Sequence, residues 1–217
     1  MNNKAKQKRQ DKISWLDALI ALALGTIISG GILVAAQSIW SGYHFLDDHE
    51  LLRMEYGAKN GTGLFAAIKA WIASDIHQRF RPLYWIERVT ACYVLGSNFT
   101  AWNIWLVIKG ALTFALLYGT ARYLKFGRVI STIFPTTIMV GVQFTPWYRC
   151  GNQESTGLLL CAGAMCLIAA QSYSGKYKSK AYNIAIVLLV ILSGLVKESF
   201  TLFMLLFPAL KIWLEYW

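Results

Sequence analysis

Across 217 residues the chain is 56% hydrophobic and carries a formal net charge of +10, from 21 basic and 11 acidic residues. A soluble domain is about 45–50% apolar, so the excess calls for lipid around it and excludes an ordinary water-soluble domain. The basic residues crowd the ends of apolar runs and form no aromatic-interleaved basic surface, which fits a membrane protein and excludes nucleic acid as the partner.

Residues 1–12 are polar and carry Lys4, Lys6, Lys8, Arg9 and Lys12, the pattern of a basic cytoplasmic tail. The stretch from Ala18 to Ala36 is uncharged. It is long enough to span at about 20 residues per crossing, and no small-residue cleavage pattern follows it. This predicts an uncleaved first span over about 13–40, with Asp17 one turn inside and reaching back to the interface. Residues from about 41 to 100 are too charged to cross and read as a long outer loop. Within it Leu64, Phe65, Ile68, Trp71, Ile72 and Ile76 recur at helical spacing, which predicts an amphipathic helix lying on the membrane, with Asp75 intruding on the apolar arc. A second helix is expected after Pro82, over about 83–95, and Ser97-Asn98 reads as a turn or cap before the next span. Five further spans follow, over about 101–121, 129–147, 156–172, 181–196 and 199–214. Lys109 falls in the middle of the second span and must face a partner or a cavity. The expected fold is therefore an all-α, polytopic transmembrane bundle of about six spans, occupying 13–217, with surface helices in the loop after the first.

Arg122, Lys125 and Arg128, then Lys176, Lys178 and Lys180, fall in loops on the side of the N-terminus, and Lys211 lies near the last inner end. The short loops on the other side hold only Arg149 and Lys197. The positive-inside rule then puts both termini in the cytoplasm and the reactive-looking residues on the outer side of the inner or plasma membrane. Cys92 and Cys150 both map to that outer side, which leaves a disulfide between them open, while Cys161 and Cys166 read as small apolar packing residues. No cysteine pair has C-x-x-C spacing, and no phosphate-loop, nucleophile-elbow or zinc-protease motif is present.

Four clusters on the outer side carry the chemistry. The first runs from Tyr43 to Glu50 and holds Asp47, Asp48, His44 and His49. A carboxylate at the bilayer edge is partly desolvated and can serve as a base near neutral pH, although a solvated loop start with a helix cap explains the same residues. A metal site there is disfavoured, because consecutive residues rarely converge on one ion. The second is Gln78-Arg79-Phe80-Arg81-Pro82-Leu83, where arginines suit phosphate or, more simply, lipid head groups. The third contains Arg149, Cys150 and Glu154, and the fourth is Lys197-Glu198 at a hairpin tip.

Taken in order, these motifs resemble the GT-C superfamily of membrane glycosyltransferases, and most closely the bacterial relatives of the protein O-mannosyltransferases. The resemblance covers about 13–217. It rests on the Asp47-Asp48 pair after the first span, the long outer loop, the run Arg79 to Leu83 and the Lys197-Glu198 hairpin. It implies a polyprenyl-phosphate sugar as donor and an acceptor hydroxyl on the outer face, with inversion at the sugar carbon. It makes Asp47, or Asp48 in its place, the catalytic base. Arg81 and Arg79 would stabilise the leaving phosphate, and Glu154, Lys197 and Glu198 would line the cavity. It implies no cofactor and, as in most enzymes of this subtype, no metal, although some relatives use one. Members of the superfamily are usually much longer, so the resemblance implies an N-terminal portion, a truncated and inactive member, or a chain that pairs with another subunit. A non-enzymatic transporter or assembly subunit, with Asp47, Lys109 and Glu198 along a polar pathway, is the alternative from the residues themselves.

Overall fold

The computed structural model describes residues 14–41, 48–141, 145–176 and 179–216, with the side chains of residues 41, 48 and 49 outside that description. Among the described residues the chain is all-helical, without a strand. The helices are α1 (Trp15–Ala35), the short α2 (Ser38–Ser41), α3 (Asp48–Asn60), α4 (Leu64–Asp75), α5 (Pro82–Leu95), α6 (Phe99–Tyr123), α7 (Arg128–Val140), α8 (Gln153–Ser174), α9 (Lys180–Val196) and α10 (Phe203–Tyr216). Short 3-10 turns cover Thr145–Trp147 and Glu198–Leu202.

Local chemistry sets the boundaries. Ser14 and Asp17 form a reciprocal capping box that starts α1. Pro82 occupies the first turn of α5, where its missing N–H costs nothing. Asn98 caps α6 by accepting from the Ala101 N–H, as its sequence position predicts, and Asn152 caps α8 through the Glu154 N–H.

Four helical stretches are long and apolar enough to cross a membrane: Trp15–Ala35, Phe99–Tyr123, Gln153–Ser174 and Glu198–Tyr216. Two more apolar helices, Arg128–Val140 and Lys180–Val196, are shorter, at 13 and 17 residues. At 1.5 Å per residue they reach about 20 and 26 Å, against a hydrocarbon core of about 30 Å. The span expected over 129–147 is thus not one helix. It stops at Val140 before Gly141, and the 3-10 turn containing Pro146 follows further on.

Helices α1, α6, α8 and α9 pack side by side, with α7 against α6 and α10 against the α8–α9 pair. Gly25 makes the α1–α6 approach close: a Cβ there would meet the Phe114 Cβ at 2.8 Å and the Ala111 Cα at 2.9 Å. Helices α3, α4 and α5 form a separate layer. Its core joins Leu51, Met54, Ala67, Trp85, Val89 and Cys92 to Trp102 of α6 and Val196 of α9. Leu64, Ile68, Trp71 and Ile72 of α4 pack into this core, whereas Phe65 and Ile76 stay exposed. Most of the stripe expected to rest on lipid therefore rests on protein.

Side-chain contacts identify the two ends of the bundle. At one end Asp17 accepts from Arg128 at 2.8 Å and from the Tyr118 hydroxyl at 3.3 Å, and Tyr123 packs on Tyr173. Asp17 is 1% exposed, so its carboxylate is buried against Tyr118 and Arg128 and not extended into solvent. At the other end α5 meets the N-terminus of α8 and the C-terminus of α9.

Candidate functional site

A polar cleft of about 330 Å³ opens at the N-terminus of α8, lined by Tyr84, Arg88, Arg149, Cys150, Asn152 and Glu154 among others. Helix α5 presents Arg88 to it. The Arg88 side chain is only 6% exposed, lies 3.6 Å from the Glu50 carboxylate and donates to the Tyr84 hydroxyl. Gly151, in the cleft wall, has φ +65°, and a Cβ there would sit 3.4 Å from the Arg88 Nε. The left-handed backbone conformation favours glycine at that position. The cleft lies at the first turn of the 22-residue α8, where the Asn152 side chain caps the Glu154 N–H. Two guanidinium-bearing residues, Arg88 and Arg149, at a helix N-terminus make this cleft suited to an anion.

Arg81 stands beside the cleft but is already engaged. Its Nε and Nη2 donate to the two oxygens of Asp75 at 2.9 and 3.0 Å, and its Nη1 donates to the Gln153 Oε1 at 2.7 Å. Trp85 adds an indole N–H to Asp75 at 2.7 Å. Burial pushes the Asp75 carboxyl upward, but the hydrogen bonds from Arg81 and Trp85 and the arginine charges outweigh it and hold the acid below its ordinary value. The guanidinia of Arg81 and Arg88 both lie over the Tyr84 ring, at 5.1 and 5.4 Å.

The other residues singled out from the sequence are joined in pairs at this end. Lys197 donates to Glu154, and Arg79 lies 3.6 Å from Glu198 with both side chains half exposed. Asp47 lies outside the described residues. Asp48 opens α3, but its side chain is also outside the description. Among the described residues no group of acids, histidines and cysteines is arranged to hold a metal ion. Cys92 and Cys150 are both buried and no disulfide joins them, so the pairing left open by the sequence is not made. Burial pushes the Cys92 thiol up to about 12, which makes it a packing residue and not a nucleophile.

Sequence reasoning missed three members of the site. Asp75 looked like a flaw in an apolar stripe and is the acid that holds Arg81. Glu87 and Arg88 are adjacent charges on an otherwise apolar helix, and they serve different neighbours. Glu87 supplies the partner that Lys109 required. Lys109 Nζ donates to Glu87 Oε1 at 3.1 Å and to Thr156 Oγ1 at 3.2 Å, and Thr156 donates to Glu87 Oε2 at 2.7 Å. The signal available was a charge pair in a helix of that composition.

Comparison of the sequence with protein-family models and with curated proteins finds no match, and comparison of the fold with solved structures finds none.

Proposed function

We propose that this chain is a membrane glycosyltransferase of the GT-C kind, moving a sugar from a polyprenyl-phosphate donor to an acceptor hydroxyl on the outer face of the membrane. In this reading α7 and α9 complete six crossings with the four longer helical stretches, the termini are cytoplasmic, and the layer of α3, α4 and α5 is the outer loop. The observation that carries it is the cleft at the α8 N-terminus, where Arg88 and Arg149 meet a helix N-terminus and Glu50, in the first turn of α3, faces Arg88.

Asp47, or Asp48, takes the proton of the acceptor hydroxyl as its oxygen forms the new bond to the anomeric carbon from the face opposite the phosphate. The old bond from that carbon to the phosphate oxygen breaks, its electron pair stays on the phosphate, and the configuration inverts. Arg149 and the α8 N-terminus stabilise the charge that grows on the leaving phosphate, and Arg88, held by Glu50 and Tyr84, adds positive potential from the cleft wall. Arg81, its charge balanced by Asp75, positions Gln153 and the start of α8 in place of meeting the phosphate itself. Glu154 and Lys197 form the rim. The closed ring of Lys109, Glu87 and Thr156 supports a structural role for Lys109 and gives a polar transport pathway no open ligand there.

The test is transfer from radiolabelled polyprenyl-phosphate sugars by the purified protein. Asp47→Asn should abolish transfer with membrane insertion unchanged, and Arg149→Ala should raise the KM for donor at least tenfold. Full activity in both Asp47→Asn and Asp48→Asn would remove the acidic pair from the mechanism.

A further inference from the structure

A second concave site lies at the opposite end of the bundle, independent of the cleft. Helices α9 and α10 enclose an apolar groove of about 380 Å³, walled by Val187, Val190, Ile191, Met204 and Phe207. Its polar mouth is Asn183 and Lys211. The Lys211 ammonium donates to the Asn183 Oδ1 at 2.5 Å, and that oxygen also accepts from the Gln171 Nε2 at 2.8 Å. The Gln171 amide in turn donates to the Lys176 carbonyl at 3.1 Å. A chain of hydrogen bonds thus fixes the ammonium at the groove mouth, where a lysine near a helix end would otherwise sweep through the interface.

The charge there is unbalanced among the described residues. No carboxylate lies within ion-pair distance of Lys211, and Glu215, one turn further along α10, is exposed and makes no pair with it. An ammonium has three donors and no acceptor capacity, and Asn183 takes one. Lys180 lies one turn before Asn183 and is exposed, which adds positive charge on the same side. From Asn183 to Ile191 the groove runs about 12 Å along α9, with Val187 and Ile191 about half exposed.

We infer that this groove seats an anionic phospholipid, with one acyl chain along α9 and α10 and its phosphate on Lys211. A zwitterionic lipid brings its own cation and gains less from the basic mouth, so the site discriminates by headgroup charge. Trp213, half exposed one helical half-turn beyond Lys211, reports the lipid around this end of α10.

The full chain is reconstituted in phosphatidylcholine vesicles containing a minor fraction of phosphatidylglycerol. The bromines are carried on the chains of either the phosphatidylglycerol or an equal fraction of the phosphatidylcholine. The Trp213 signal is taken as the difference between the native chain and Trp213→Phe. Brominated phosphatidylglycerol should quench it at least threefold more than brominated phosphatidylcholine. Lys211→Gln should abolish this preference and Lys211→Arg should keep it. Val187→Trp, which fills the groove and leaves the charge, should also abolish it. Equal quenching by the two lipids in the native chain, or a preference that survives Lys211→Gln, overturns the inference.

Discussion

Lys109 shows how one residue inside an apolar helix dictates its surroundings. Its side chain is 4% exposed, and a bare ammonium at that depth would be untenable. Glu87 and Thr156 close a three-membered ring that satisfies the charge from two other helices. Removing one partner leaves the other charge buried alone, so Lys109→Met should destabilise the protein by roughly 3–5 kcal/mol. Adding Glu87→Gln should recover most of that loss. A double-mutant cycle of unfolding in detergent measures the coupling, and additive losses would show that the pair does not interact. Asp75 makes a different prediction because its acid is held below its ordinary value of 3.8. A carboxyl depressed in the folded state contributes stability above its unfolded value, and that contribution fades as pH falls through the folded value. The stability gap between native protein and Asp75→Asn should therefore be full near neutrality and close below about pH 3.8. Trp85 fluorescence follows it, since its indole N–H donates to the acid.

At the scale of elements, α1, α6 and α8 were legible because unbroken apolar length is what a membrane demands. The close approach of α1 and α6 was not, since glycine spacing in one helix does not name its neighbour. Gly25 supplies it, and Gly25→Val should prevent that packing and cost about 1–3 kcal/mol, read as a lowered unfolding temperature in detergent. The α4 stripe illustrates a second limit. Leu64, Ile68, Trp71 and Ile72 have the same spacing whether lipid or protein covers them, so periodicity located the helix and left its cover open. Helix α5 was read only for its boundaries, yet it organises the site. Successive faces send Trp85 to Asp75, Glu87 to Lys109 and Arg88 to the cleft. Arg81 was legible as a charged residue ahead of Pro82, but its bidentate partner six residues back was hidden in the stripe.

At the scale of the whole molecule, the side-chain contacts settle which helix ends lie together, and the charge pattern proposes which of them faces the cytoplasm. Asp17, Tyr118 and Arg128 meet at one end, while Arg81 with Gln153 and Lys197 with Glu154 mark the other. The bundle can sit in a bilayer either way up without changing any of these contacts. What distinguishes the two is the cost of moving Arg122, Lys125, Arg128, Lys176 and Lys180 across the membrane during insertion. Single cysteines at exposed turn positions, placed in a chain whose native cysteines are replaced, read the orientation directly with a membrane-impermeant thiol reagent. In sealed right-side-out vesicles His77→Cys and Ser97→Cys should label, whereas Gly127→Cys and Lys176→Cys should label only after the membrane is opened. The reverse pattern would turn the arginine cleft toward the cytoplasm and sever it from an outer-face acceptor. Sugar transfer at that face would then fail as a reading, while the phospholipid groove, which needs only a bilayer around α9 and α10, would stand.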